Sequence, residues 1–238
     1  NFRRMKKIIA VIAFSILLVA CSSKKEGNMV VNGTIKGLKK GTLYLQKMKD
    51  TALISVDSVA ILGEETFSLT DNVTSPVLYY LTFDGNTTDK RILFFGEEGI
   101  ITINDDVSKF GMNPEITGST NQDLLKKFNK IDSRFKTKRL EFIKNEFDAR
   151  KANNMDSVAK LEAAYRNDIK RRYLQTINFA LNHKDAAIAP YLALTELYDA
   201  NIKYLDTINN ALTKEVKNSV YGQQLEAYIK EIKENEKQ

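Results

Sequence analysis

Ile116-Thr117-Gly118-Ser119, at the middle of the 238-residue chain, divides two compositions. Between residues 21 and 118 lie ten of the eleven glycines and every clear turn cluster; residues 119–238 hold only Gly222. Charge divides there as well, with 10 basic and 13 acidic residues before the junction and 22 and 17 after it. The pattern predicts an α+β protein: an antiparallel β-sandwich or barrel-like domain over 28–118, then an all-helical domain over 119–238 with a long helical hairpin.

Working back from the junction, short β-branched and aromatic runs predict strands at Met29–Ile35, Thr42–Met48, Leu53–Ile61, Thr66–Leu69, Val77–Phe83, Arg91–Phe95 and Ile100–Ile103. Turn clusters such as Lys39-Lys40-Gly41, Gly63-Glu64-Glu65 and Asp84-Gly85-Asn86 separate them. In Val77–Phe83, residues 77, 79, 81 and 83 face one side, while Leu78 and Tyr80 face the other. A strand apolar on both faces is a central one, covered on its far side by the helical half.

Working forward, Leu124, Phe128, Ile131, Phe135, Phe142 and Phe147 recur at helical spacing in a charged background. Val158, Leu161, Tyr165, Ile169, Tyr173, Ile177 and Leu181 repeat the pattern after Asn153-Asn154. Two helices of about 25–30 residues joined by a polar turn make an antiparallel hairpin extending beyond a compact core. Further helices are expected from near Ala189 to Tyr198, with Pro190 in the first turn, then over Leu205–Leu212 and Tyr221–Ile232, the last capped by Ser219.

Residues 1–20 carry Arg3, Arg4, Lys6 and Lys7, no acid, and an apolar run from Ile8 to Ala20. That run suits a secretory leader and is short for a membrane-spanning helix. Leu18-Val19-Ala20-Cys21, which contains the only cysteine, resembles the bacterial lipobox. The resemblance implies cleavage between Ala20 and Cys21, acylation of the Cys21 thiol, and a lipidated tether over 21–27. Ser22 after the cysteine favours the outer membrane by analogy, and the absence of an acidic run favours the periplasmic face. Removing the four leader charges from the net +6 leaves +2, which excludes nucleic acid as the expected partner.

Gly33-Thr34-Ile35, Gly41-Thr42-Leu43-Tyr44-Leu45, Asp57-Ser58-Val59, Phe67-Ser68-Leu69 and Ile116-Thr117-Gly118-Ser119 together resemble a β domain of unknown function. Domains of this kind stand at the N-terminus of lipid- or membrane-anchored thiol–disulfide oxidoreductases. Ala186–Leu197 and Ser219–Leu225 resemble the helical segment that leads there into a thioredoxin-like domain. Those enzymes' paired redox cysteines have no counterpart here, and an acylated Cys21 cannot substitute for them.

Other chemistry is sparse. The single histidine, His183, reads as a polar residue near a helix end; no phosphate loop, dinucleotide fingerprint or nucleophile elbow occurs. Glu64-Glu65, Glu97-Glu98 and Asp105-Asp106 read as solvated turns, because sequence neighbours in extended chain point apart. Lys136-Thr137-Lys138-Arg139 and Lys170-Arg171-Arg172 read as a solvated helix face, with attraction to anionic head groups as the functional alternative. No catalytic residue, cofactor or metal ligand is assigned. Asp-Ser/Thr before an aliphatic residue recurs, making Thr51, Ser58, Ser157 and Thr207 O-glycan acceptor candidates; the pattern resembles one used on exported proteins of some anaerobic gut bacteria.

The expectation is a lipid-anchored bacterial envelope protein acting as a non-catalytic binding or interaction module. Its partners are the membrane through the anchor and an envelope protein or glycan, met by the β-domain edge and the hairpin. An accessory role beside a separate thioredoxin-like oxidoreductase ranks second. A hydrolase using acidic and tyrosine groups ranks third.

Overall fold

The structure, a computed structural model, describes residues 27–236. The leader, Ala20 and Cys21 lie outside the described residues, as does all of the tether but Gly27. Eight strands precede six helices among those described. The strands are β1 (Met29–Lys36), β2 (Lys40–Lys49), β3 (Ala52–Leu62), β4 (Thr66–Asp71), β5 (Val77–Phe83), β6 (Asn86–Gly96), β7 (Gly99–Asp106) and β8 (Glu115–Thr117). The helices are α1 (Thr120–Lys151), α2 (Met155–Asn182), α3 (Ile188–Glu196), α4 (Ile202–Ala211), α5 (Lys214–Lys217) and α6 (Val220–Asn235). None of these helices is long and apolar enough to cross a membrane.

Two four-stranded sheets, ordered β4-β1-β7-β8 and β3-β2-β5-β6, form the sandwich. Pairing is antiparallel with one correction to the sequence reading: β1 and β7 run parallel, Met29 opposite Gly99 through Lys36 opposite Asp106. Alternation decides the facing. Val31, Leu43, Leu45, Tyr79, Leu81, Ile92, Phe94, Ile101 and Ile103 pack between the sheets, each contributing about 1.5–3 kcal/mol through burial.

β5 and β6 carry a second apolar face. Leu78 and Phe95 turn away from the sandwich and join Leu124, Phe128, Phe179, Ile188, Leu192 and Tyr221 in a core shared with the helices. The Phe95 ring meets Tyr191 edge-on at 5.2 Å between centroids. At the junction, Gly118 has φ 91°, and a Cβ there would lie 2.1 Å from the Ile100 carbonyl oxygen. Only glycine allows the turn from β8 into α1.

Ser119 then caps α1, its hydroxyl accepting the Gln122 amide hydrogen at 3.1 Å. At the far end Asn153 takes a positive φ of 54°, and the Asn154 side chain accepts the Ser157 amide hydrogen at 3.0 Å to start α2. Phe142 is half-buried and stacks on Tyr165 of α2 at 4.2 Å, as the helical spacing implies; Phe147, on the same spacing, is 66% exposed. The buried residues of α1 end at Asp132, so the distal hairpin has no third layer to bury a wider stripe. A separate helical core gathers Ile177, Ala189, Leu205, Leu225 and Ile229 behind α2.

Candidate functional site

One concave feature lies where the hairpin meets α3. Asp132 falls one turn after Phe128 on the inward stripe of α1, and its side chain is 1% exposed. A carboxylate placed there needs a cation. Arg172 of α2 supplies it, Nε donating to Oδ1 at 2.6 Å and Nη2 to Oδ2 at 3.3 Å. The same Nη2 donates to Glu196 of α3, tying three helices together. Burial alone would raise the Asp132 carboxyl; hydrogen bonding and charge from Arg172, then from Lys136 at 3.2 Å, outweigh it and hold the group below the ordinary carboxylate range.

Above this network opens a groove of ≈ 450 Å³. Phe135, Tyr165, Ile169, Tyr173 and Tyr198 give it apolar faces; Lys136, Lys138, Arg139, Asp168, Glu196 and Asp199 give it charge. The Tyr173 hydroxyl donates to Asp199 at 2.7 Å, and burial with that bond pushes the phenol up to about 12. Asp168 faces Lys138 at 3.4 Å and Arg171 at 3.8 Å. Each lining carboxylate is therefore engaged by a cation or a phenol. Chemically, such a set offers hydrogen-bond acceptors beside aromatic faces.

A second hollow, ≈ 640 Å³, lies on the seam between the halves, beside Val73–Pro76, Glu97, Asn121, Asp185 and Ser219. Its polar groups serve joinery. Glu97 accepts from the Thr120 amide and, at 2.5 Å, from Asn121 Nδ2; Asn121 Oδ1 accepts the Ile188 amide hydrogen at 2.9 Å, capping α3 in place of Ala187. Ser75 Oγ accepts the Val220 amide hydrogen at 3.1 Å.

The residues singled out in the sequence are scattered. Thr51 is exposed in the β2–β3 turn and Ser58 is exposed on β3; Ser157 is half-buried in the first turn of α2. Thr207 is exposed on α4, its hydroxyl donating to the Lys203 carbonyl at 2.7 Å. His183 terminates α2 against the Phe179 ring. Asp105 accepts the Gly111 amide hydrogen at 2.7 Å, and Asp106 caps a 3-10 turn, its carboxyl lowered chiefly by the Ser108 hydroxyl. Among the described residues no group of three His, Cys, Asp or Glu could hold a metal ion. Ala20 and Cys21 lie outside the described residues.

Sequence reasoning missed the groove. Arg172 reads as part of a solvated basic run, and Glu196, Tyr198 and Asp199 carry no pattern. The available signal was Asp132, a carboxylate four residues after Phe128 and three before Phe135 on an apolar stripe.

The sandwich agrees with a family model described as "Domain of unknown function (DUF4369)", which matches residues 29–125. A DUF4369 domain stands there. No curated protein and no solved structure matches the chain. The DUF4369 segment spans all eight strands and enters α1 as far as Leu125. It thus takes in Gly118, Ser119, Asn121 and Gln122, the residues that fix the first helix to the sheet. The groove lies beyond it, in the two hairpin helices, α3 and the loop that follows α3.

Proposed function

We propose that the protein is a lipid-anchored bacterial envelope protein, held at the outer membrane through Cys21 and facing the periplasm, that works as a non-catalytic binding module. Its ligand is a hydroxyl-rich glycan of the envelope, received in the groove beside α3. The observation that carries this reading is the composition of that groove: Tyr165, Tyr173 and Tyr198 beside Asp168, Glu196 and Asp199. Aromatic faces stack on the apolar faces of sugar rings, and carboxylates accept sugar hydroxyls without needing a free proton. Tyr198 is 60% exposed, an aromatic ring already placed at the mouth.

The anchor part of the reading is supported by the leader and the lone cysteine. The likeness to the N-terminal domains of thiol–disulfide oxidoreductases adds the class of envelope protein in which such a sandwich works. Titration calorimetry with solubilised envelope polysaccharide and peptidoglycan fragments tests the binding: saturable heat, lost in Tyr198→Ala, supports it, and no heat with any fraction sinks it. Intact-mass measurement of the exported protein tests the anchor. A mass that retains residues 1–20, with Cys21 unmodified, sinks that part.

A further inference from the structure

Beyond Asp132 the hairpin stands clear of both cores: α1 buries nothing further, and α2 buries only Val158 until Thr176. On this arm Leu140, Ile143 and Phe147 are 69%, 51% and 66% exposed. Spaced by three and four, they form one stripe. Two rows at four-residue spacing run through it: Lys136-Leu140-Lys144, and Arg139-Ile143-Phe147-Lys151. Asp148 ends the first row; inside the stripe there is no carboxylate. Glu146 lies to one side, paired with Arg150 at 2.5 Å. From Arg134 to Arg172 the arm carries twelve Arg and Lys against six Asp and Glu.

We infer that this face of α1 lies on an anionic lipid surface, its cations at the phosphates and Leu140, Ile143 and Phe147 in the headgroup–acyl boundary. Apolar residues flanked by cations are the composition of an interfacial helix, whereas the centre of a protein–protein contact is depleted of lysine. Position agrees. Asn28, the entry to β1, is fixed by the amide and carbonyl of Val73, on the seam where α1 begins. Asn28 therefore lies at the base of the hairpin, and the stripe begins about 30 Å along it at 1.5 Å per residue. Contact therefore means a hairpin lying along the bilayer. Lys136 and Arg139 also line the groove, so the groove borders this face.

This inference rests on the proposed anchor, and one experiment separates the two. The sequence contains no tryptophan, so Leu140→Trp in the full-length exported protein gives a single reporter. The protein is reconstituted on phosphatidylcholine vesicles with or without phosphatidylglycerol, some carrying brominated acyl chains. Flotation reports the anchor; tryptophan quenching reports the hairpin. Expected are flotation with both vesicles and several-fold stronger quenching on the anionic ones, reduced by high salt and by Lys144→Glu with Lys151→Glu at unchanged circular dichroism. Flotation with an unquenched or equally quenched tryptophan on both vesicles overturns the inference and spares the anchor. Flotation on anionic vesicles alone, with quenching, upholds the inference and overturns the anchor.

Discussion

The Tyr221 hydroxyl accepts the Leu78 amide hydrogen at 3.0 Å, so a side chain of α6 takes over where the partner strand gives out. The β2 ladder on β5 ends at the Lys47–Tyr79 pair, one residue short of Leu78. On the other side of the ribbon, Gln122 of α1 accepts the Phe95 amide hydrogen at 3.0 Å. The helices thus finish the hydrogen bonding of the sheet they cover.

Tyr221→Phe keeps the ring against Phe95 and removes only the acceptor. The Leu78 amide is then left without a partner, at a cost of about 1–2 kcal/mol. Urea unfolding should show this as a lower midpoint with an unchanged slope. No shift in the midpoint would mean that water replaces the phenol.

Asp132→Asn should cost about 2–3 kcal/mol, towards the low end for a broken buried pair because Arg172 stays a quarter exposed. Since the folded carboxyl is depressed, its stabilisation is present above the ordinary value near 4 and is lost as pH falls through the folded value. The gap between wild type and variant, measured by thermal unfolding, should therefore close below about pH 4. A gap that stays constant with pH would contradict the assignment.

Tyr79 is fully buried in the sandwich, its hydroxyl donating to Asp71 at 2.6 Å beside Lys47. Burial first, then the Asp71 hydrogen bond and charge, raise the phenol well above its usual range. A raised acid stabilises the fold fully below the ordinary value near 10, and that contribution is lost as pH climbs from there towards the folded value. Stability should fall above about pH 10, with tyrosinate absorbance from Tyr79 appearing together with unfolding. Tyr79→Phe should weaken this alkaline dependence.

Gly222, the one glycine of the helical half, sits in the first turn of α6. In an open helix Gly→Ala stabilises by about 1 kcal/mol. Here a Cβ would lie 2.0 Å from the Val216 carbonyl oxygen and 2.6 Å from that of Lys217. Both obstacles are backbone, so the sign reverses: Gly222→Ala should destabilise by about 1–3 kcal/mol. A higher melting temperature for the variant would show that α5 moves aside freely.

Seven strands could be read from the chain because alternation and turn residues are local signals, and Val77–Phe83 announced its two apolar faces through Leu78 and Tyr80. The eighth, Glu115–Thr117, is three residues long and has too little alternation to register. One-turn α5 escaped for the same reason. The parallel pairing of β1 with β7 lies in no segment; it follows from how two sheets close on one core. The groove is of the same kind, since Arg172 meets Asp132 and Glu196 only after three helices have packed. Phe147 fits the helical spacing and is nonetheless exposed, because periodicity records a face and not what covers it.

The β1–β7 pairing also sets an order of events. β1 is hydrogen-bonded on one side to β4 and on the other to a strand that begins at Gly99. A chain emerging N-terminus first must therefore hold Val31 and Ile35 without their final neighbours until some seventy further residues have appeared. Hairpins β2–β3 and β5–β6 can form during that wait, as their partners are adjacent in sequence. Closure of the first sheet is the late, slow step, and until then one open edge of β1 is the place where a helper, or a wrong partner, would bind.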